Sequence, residues 1–159
     1  MNEVHDWTGG PIFLGRSGSS VVYNFYEQDW KKEDVMPSVF SRIIAGEIPS
    51  YKIYEDEKTY AFLDINPEVK GHTLVVPKVE VDKIYELSEE DWSALWASVK
   101  KIAAHMEEVT GRRTLMKVIG TDVPHAHVHL TPFDETWEHG RTLQLKDEEF
   151  EEIREKLAM

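Results

Sequence analysis

The 159-residue chain contains no cysteine. That absence excludes a disulfide scaffold, an iron–sulfur cluster, a thiol nucleophile and every thiolate zinc site. Positive charge is scarce as well: 18 Lys and Arg stand against 30 Asp and Glu, a formal net charge of −12. Binding to a nucleic-acid backbone draws on surplus positive charge, so no polynucleotide partner is expected; a few local groups can still hold a small nucleotide. No stretch approaches the roughly 20 apolar residues that span a bilayer, and no basic-then-apolar secretory pattern opens the chain. No membrane partner is therefore expected, and the cytoplasm is the default location. What is present, 41% hydrophobic and 30% charged residues, is the composition of a globular chain with one domain and a sizeable core.

Residues 1–35 read as an N-terminal extension. They hold Gly9-Gly10, the run GRSGSS (Gly15 to Ser20), the β-prone VVYNFY (Val21 to Tyr26) and a charged stretch to Asp34. Within them Gly10 to Ser17, GPIFLGRS, comes close to the phosphate-cradling pattern GxxxxGK[ST]. Arg16 stands in for its lysine, no buried strand precedes it and no helix follows. That motif works through backbone N–H groups leading into a helix, so without this context its mechanism is missing.

From Met36 the pattern becomes regular, and residues 36–159 read as one domain with a C-terminal helix. Ser38 caps a short helix in VFSRIIAGE, with Gly46 near its end. Strands are expected at Tyr51–Tyr54, Thr59–Leu63, His72–Val76, Thr114–Ile119 and Ala126–Thr131. A long helix lies between Ser88, which with Asp91 resembles a capping box, and Gly111 at its C-cap. Trp92, Leu95, Trp96, Val99, Ile102, Ala103 and Met106 recur on it at helical spacing, a stripe suited to packing on a sheet. Lys146–Leu157 forms a last helix, acidic first and basic late, as its dipole favours. Runs of strands around one long helix predict an α+β fold with a largely antiparallel sheet.

The chemistry concentrates in PHAHVHLTP, Pro124 to Pro132. Three of the seven histidines, His125, His127 and His129, alternate there with Ala126, Val128 and Leu130. On a strand this sets three imidazoles on one face and the apolar residues on the other. Two uses compete. Such a strand can chelate zinc, copper or iron, with Asp64, Asp122 or Glu80 as oxygen ligands. Alternatively, one imidazole attacks a phosphorus centre while its neighbours hold the phosphate oxygens, since histidine remains largely neutral and nucleophilic near pH 7. The spacing alone does not choose.

The segment FSRIIAGEIPSYKIYEDEKTYAFLDINPEVKGHTLVVPK (Phe40 to Lys78), taken with HAHVHLTP, resembles the histidine triad (HIT) family from about Ser38 to Pro132. The resemblance implies an α+β homodimer with one sheet continuous across both subunits. It also implies binding of small nucleotides, purines by family habit, with no metal or cofactor required. Nucleoside phosphoramidates or dinucleoside polyphosphates would be cleaved to a nucleoside monophosphate through a covalent nucleotidyl-histidine. By position, His127 is then the nucleophile, and His125 and His129 orient it and contact the α-phosphate, with His72 in support. Asp64 would take the ribose hydroxyls, and Phe40, Ile43, Phe62 and Ile65 would wall the base pocket.

The chain also departs from the family. Where many relatives carry the cysteines and histidine of a structural zinc site, it has Ser38, Ser41 and Glu80, so that site is expected to be absent. The loop before the triad is short, with Thr121 and Asp122 where glutamine and a leaving-group-assisting serine or threonine are usual. Ionised, Asp122 would repel phosphate; protonated or paired with a histidine, it could donate a proton to the leaving group. His105 is expected on the solvated surface, and Trp137 and His139 in a solvated linker, although that segment could fold back over the site. His5 carries no argument. The rival functions are a metal-dependent hydrolase using the same histidines and a non-catalytic nucleotide-binding module.

Overall fold

A computed structural model of the protein describes residues 36–159. His5, the Gly10–Ser17 match and the Val21–Tyr26 strand lie outside the described residues. In chain order the elements are α1 (Val39–Ile44), β1 (Lys52–Glu55), β2 (Thr59–Leu63), β3 (Thr73–Pro77), a 3₁₀ turn (Ile84–Glu86), α2 (Glu89–Thr110), β4 (Thr114–Lys117), β5 (Val128–Pro132) and α3 (Asp147–Leu157). The strands make one antiparallel sheet in the order β1-β2-β3-β5-β4. This is the α+β architecture that the sequence predicts.

Every residue of β2 and β3 is buried, because these central strands are covered on both sides. One face presents Ile53, Ala61, Leu63, Val75, Val128 and Leu130 to Leu95, Val99, Ile102, Ala103 and Met106 of α2, and to Phe150 and Leu157 of α3. Each fully buried large side chain here contributes roughly 1.5–3 kcal/mol. Trp96 packs at the edge of this cluster, and Trp92, 38% exposed, meets the Trp96 ring with centroids 5.8 Å apart. The opposite face presents Tyr60, Phe62, Leu74 and Val76 to Phe40 of α1.

The helix boundaries follow local chemistry. Ser88 Oγ accepts the Asp91 N–H at 3.1 Å, and Gly111 ends α2 with φ 67°, a left-handed C-cap. Glu149 accepts the Lys146 N–H at 3.2 Å at the start of α3. Gly71 has φ 92°, and a Cβ there would lie 3.1 Å from Pro132 Cγ, so β3 can approach the end of β5 only through glycine.

β1 and β3 are shifted by one residue from expectation, and two strands differ by more. β4 stops at Lys117, opposite His129, and Val118 and Ile119 beyond it are exposed and outside the strand. β5 begins at Val128, two residues later than the alternation suggests. The Ala126 N–H bonds Val81 O at 2.7 Å, so the chain before Val128 follows the loop after β3 instead of β3 itself. His105 is half-buried, with its Nε2 unpartnered, where the sequence suggests solvated surface.

Candidate active site

The α1 face of the sheet positions the histidines. The antiparallel register lines up Phe62, Leu74, His129 and Lys117 across β2, β3, β5 and β4. His127 lies beside His129, with ring centroids 4.9 Å apart, and Phe40 meets its ring edge-on at 5.2 Å. His72, immediately before β3, is 2.9 Å from His129 Nδ1 through its Nε2.

Hydrogen bonding assigns a tautomer to each ring. His127 Nδ1–H donates to the His125 carbonyl at 2.7 Å, which leaves the Nε2 lone pair free. His72 Nδ1 accepts the Glu68 N–H at 3.2 Å, so its proton sits on Nε2 and is donated to His129 Nδ1. His129 must then carry its own proton on Nε2. Burial holds both His72 and His129 well below the ordinary imidazole value, each to about 4, and both are neutral at pH 7. A lone pair on His127 therefore stands beside an N–H donor on His129.

His125 behaves differently from the other two. It is fully buried, its Nε2–H donates to Pro77 O at 2.8 Å, and its Nδ1 accepts from Ser38 Oγ at 2.8 Å. Burial lowers its pKa. With both ring nitrogens occupied it cannot also contact a phosphate, which corrects the sequence-based assignment; it reaches His127 through its carbonyl. The reason is the late start of β5, which takes His125 out of the strand alternation. The same fact dismantles a three-histidine chelate.

Ser38, Ser41 and Glu80 do come together around His125. Glu80 accepts from the Ser38 N–H at 3.1 Å and from the Ser41 hydroxyl, and Ser38 Oγ also caps α1 by accepting the Ser41 N–H. Two hydroxyls, one carboxylate and one imidazole lack the thiolates that suit structural zinc, and here these groups satisfy one another. Among the described residues, the group able to hold a cation is Asp64, His72 and His129, with ligand atoms within 4.8 Å of one another. Glu80 and Asp122, the other oxygen ligands considered, lie elsewhere.

Asp64 Oδ2 is 3.5 Å from His72 Nδ1, and its Oδ1 accepts the Asn66 N–H at 2.9 Å. Phe40 and Phe62 meet edge-to-face at 5.5 Å with Ile43 packed against them. Ile65, by contrast, is 69% exposed and outside that cluster. Asp122 is exposed and accepts from Thr121 Oγ1 at 3.3 Å; among the described residues it pairs with no histidine.

Two residues escaped the sequence reading. Glu68 is 6% exposed and accepts from Lys117 Nζ, from Trp137 Nε1 at 2.9 Å and from the Gly140 N–H at 3.2 Å. Burial pushes its carboxyl up, but these hydrogen bonds outweigh that and hold it down to about 2. His139 Nδ1 lies 3.3 Å from its other oxygen. Residues 137–140 thus fold back onto the domain beside the histidines and are not a free linker. A lone lysine in the apolar strand TLMKVI was a signal for Lys117. Glu68, in a loop without periodicity, gave none.

The HIT domain profile matches residues 45–136. Over 100 residues the chain is 43% identical to the protein named Protein hit of Bacillus subtilis, covering 59% of this chain and 69% of that one. It is 35% identical over 96 residues to a Saccharomyces cerevisiae protein named adenosine 5'-monophosphoramidase, covering 59% of this chain and 61% of that one. A crystal structure of a HIT-like protein from Bartonella henselae matches with a TM-score of 0.68 at 29% identity, over 76% of this chain and 92% of that one. A HIT-family structure from Bacillus subtilis matches at 0.62 and 32% identity, over 76% and 94%. The profile covers more than half of the residues and the architecture is shared with these structures: the chain belongs to the HIT family.

Proposed function

We propose that the protein hydrolyses nucleoside phosphoramidates or dinucleoside polyphosphates through a covalent nucleotidyl-His127. The observation that carries this reading is the tautomer of His127. Its Nδ1–H is held by the His125 carbonyl, and its free Nε2 stands beside the His129 ring. The Nε2 lone pair forms a bond to the α-phosphorus, and the bond to the leaving group breaks with its electron pair. That group leaves as an amine, protonated from solvent, or as a phosphate. Water then attacks phosphorus, the N–P bond breaks, and nucleoside monophosphate and neutral His127 are regenerated after loss of the water's proton. The His129 Nε2–H donates to a non-bridging oxygen, where charge accumulates in the transition state.

Asp64 beside His72 is suited to the ribose hydroxyls, and the Phe40, Ile43 and Phe62 cluster to one side of a purine base. A yeast relative bearing the name adenosine 5'-monophosphoramidase supports the phosphoramidate over other substrates. We further propose a homodimer. The open edge of β4, with Met116, Val118 and Ile119 each more than 40% exposed, offers unpaired backbone groups and apolar surface together.

Incubation with adenosine phosphoramidate followed by intact-mass analysis tests the reading. AMP release and a transient adenylyl adduct that maps to His127 are expected, unchanged by a chelator. Release of no AMP would leave a nucleotide-binding module. Loss of activity on chelation would favour the Asp64, His72 and His129 cluster as a metal centre.

A further inference from the structure

The Glu68 carboxylate is used by neither the nucleophile nor the base cluster, yet it is among the most heavily hydrogen-bonded buried groups of the site. One oxygen takes Lys117 Nζ and Trp137 Nε1, the other the Gly140 N–H, with His139 Nδ1 at 3.3 Å. Lys117 lies against the Trp137 ring, with its ammonium 5.6 Å from the centroid, and occupies the β4 position opposite His129. The backbone reinforces the contact, since the Leu143 N–H bonds Pro67 O at 2.8 Å. Residues 137–143 are thereby fastened to the loop that runs from Pro67 to Gly71.

That loop also sets the state of the histidine pair. The Glu68 N–H occupies His72 Nδ1, and the His72 N–H bonds Val69 O at 3.2 Å. Were the Glu68 N–H to move away, His72 could take its proton on Nδ1, where Asp64 Oδ2 at 3.5 Å would accept it. His72 Nε2 would then become an acceptor and His129 Nδ1 the donor. His129 Nε2 would lose its proton, and with it the means to donate to a phosphate oxygen. The side chain of Glu68 anchors the backbone group that prevents this.

We propose that Glu68 is a positioning residue. By binding residues 117, 137 and 140 through its carboxylate, it keeps its own N–H on His72 and so keeps His129 in the Nε2–H form. This deepens the phosphotransfer reading above, and its catalytic consequence rests on that reading. It also gives the Trp137–Gly140 segment a purpose, the closing of the acceptor set of a buried anion beside the reacting groups.

The test is ¹⁵N NMR of the histidine side chains, combined with kinetics on adenosine phosphoramidate, for the wild type, Glu68→Ala and Trp137→Phe. In the wild type, His72 and His129 should show protonated Nε2, and His127 protonated Nδ1. Glu68→Ala should mix the tautomers of His72 and His129 while leaving His127 and His125 unchanged. In this variant kcat should fall about tenfold with KM within about twofold, a smaller loss than the 10²–10³ of deleting a transition-state donor outright. Wild-type nitrogen signals in Glu68→Ala would overturn the proposal. If all four rings change because that variant is poorly folded, Trp137→Phe decides, since it removes one of the donors and leaves the sheet intact. A selective change at His72 and His129 then supports the proposal, and none overturns it. If the wild type hydrolyses no nucleotide, the function proposed above fails, while the nitrogen signals still decide the role of Glu68.

Discussion

Alternate residues of the same strands enter two different environments. Toward α2 and α3, Leu63, Val75, Val128 and Leu130 join an apolar cluster, and a polar chain runs on that side from Thr59 Oγ1 through Ser98 Oγ to the Asp56 carboxylate, each bond 2.9 Å. Toward α1, one row across the sheet passes from Phe62 through Leu74 to His129 and Lys117. Outside that polar chain the first face is held by area and volume, which are non-directional, so several apolar residues could serve at most positions. The second is held by atoms with assigned roles: one carbonyl on His127 Nδ1, one N–H on His72 Nδ1, two oxygens of Glu68. An error of shape is the main risk within the apolar cluster, whereas an error of one donor is costly in the histidine row, where a buried polar group left unpaired loses about 1–3 kcal/mol.

The comparison predicts that damage separates by face. The largest effect is on chemistry. His127→Ala should lower kcat for adenosine phosphoramidate by at least about 10³-fold, through loss of the nucleophile, with a stability loss below about 2 kcal/mol. Comparable turnover in that variant would end the assignment of the two faces. Next, Leu95→Ala on α2 should cost about 2–5 kcal/mol in urea unfolding. The folded fraction should keep kcat within about twofold of wild type, because no atom of the histidine row is touched.

Acid should act on the histidine face before it acts on the carboxylates. The folded-state values of His72 and His129, about 4, lie below the ordinary 6.5. Their contribution is complete above pH 6.5 and is lost as pH falls toward 4, because the unfolded chain takes up protons first. Glu68 and Asp56, both held to about 2, lose theirs only below their ordinary values of 4.5 and 3.8. The unfolding free energy from urea titration should therefore fall by about 4 kcal/mol between pH 7 and 5, roughly 2 for each imidazole. A flat profile over that range would contradict two neutral buried imidazoles. The smallest effect should come from Ser38→Ala, which removes both the α1 cap and the donor to His125. About 1 kcal/mol of stability should be lost, seen as a lower melting temperature. A small drop in kcat should accompany it, because His127 is aimed through the His125 carbonyl.

The legible parts were those written in local patterns. The stripe on α2, the Ser88 and Gly111 caps and the five strands follow from periodicity and capping chemistry. The resemblance through His72, Asp64 and the triad brought the site residues onto one page. What failed failed for a non-local reason. His125 departs from the strand alternation because Val81 claims the Ala126 N–H. Residues 137–140 fold back because Glu68, about 70 positions earlier, requires donors.

By itself, then, the sequence determined an antiparallel α+β domain with one apolar helix stripe, no thiolate metal site and a cluster of imidazoles within one short segment. These are properties of residue type and spacing, which the chain carries whatever lies next to it. The tertiary structure decided which ring nitrogen of each histidine is free, which carboxylate is buried and which loop closes over it. Tautomer and burial depend on the nearest donor or acceptor in space, and for His72, His125 and His129 those partners come from loops and strands that the linear order keeps apart.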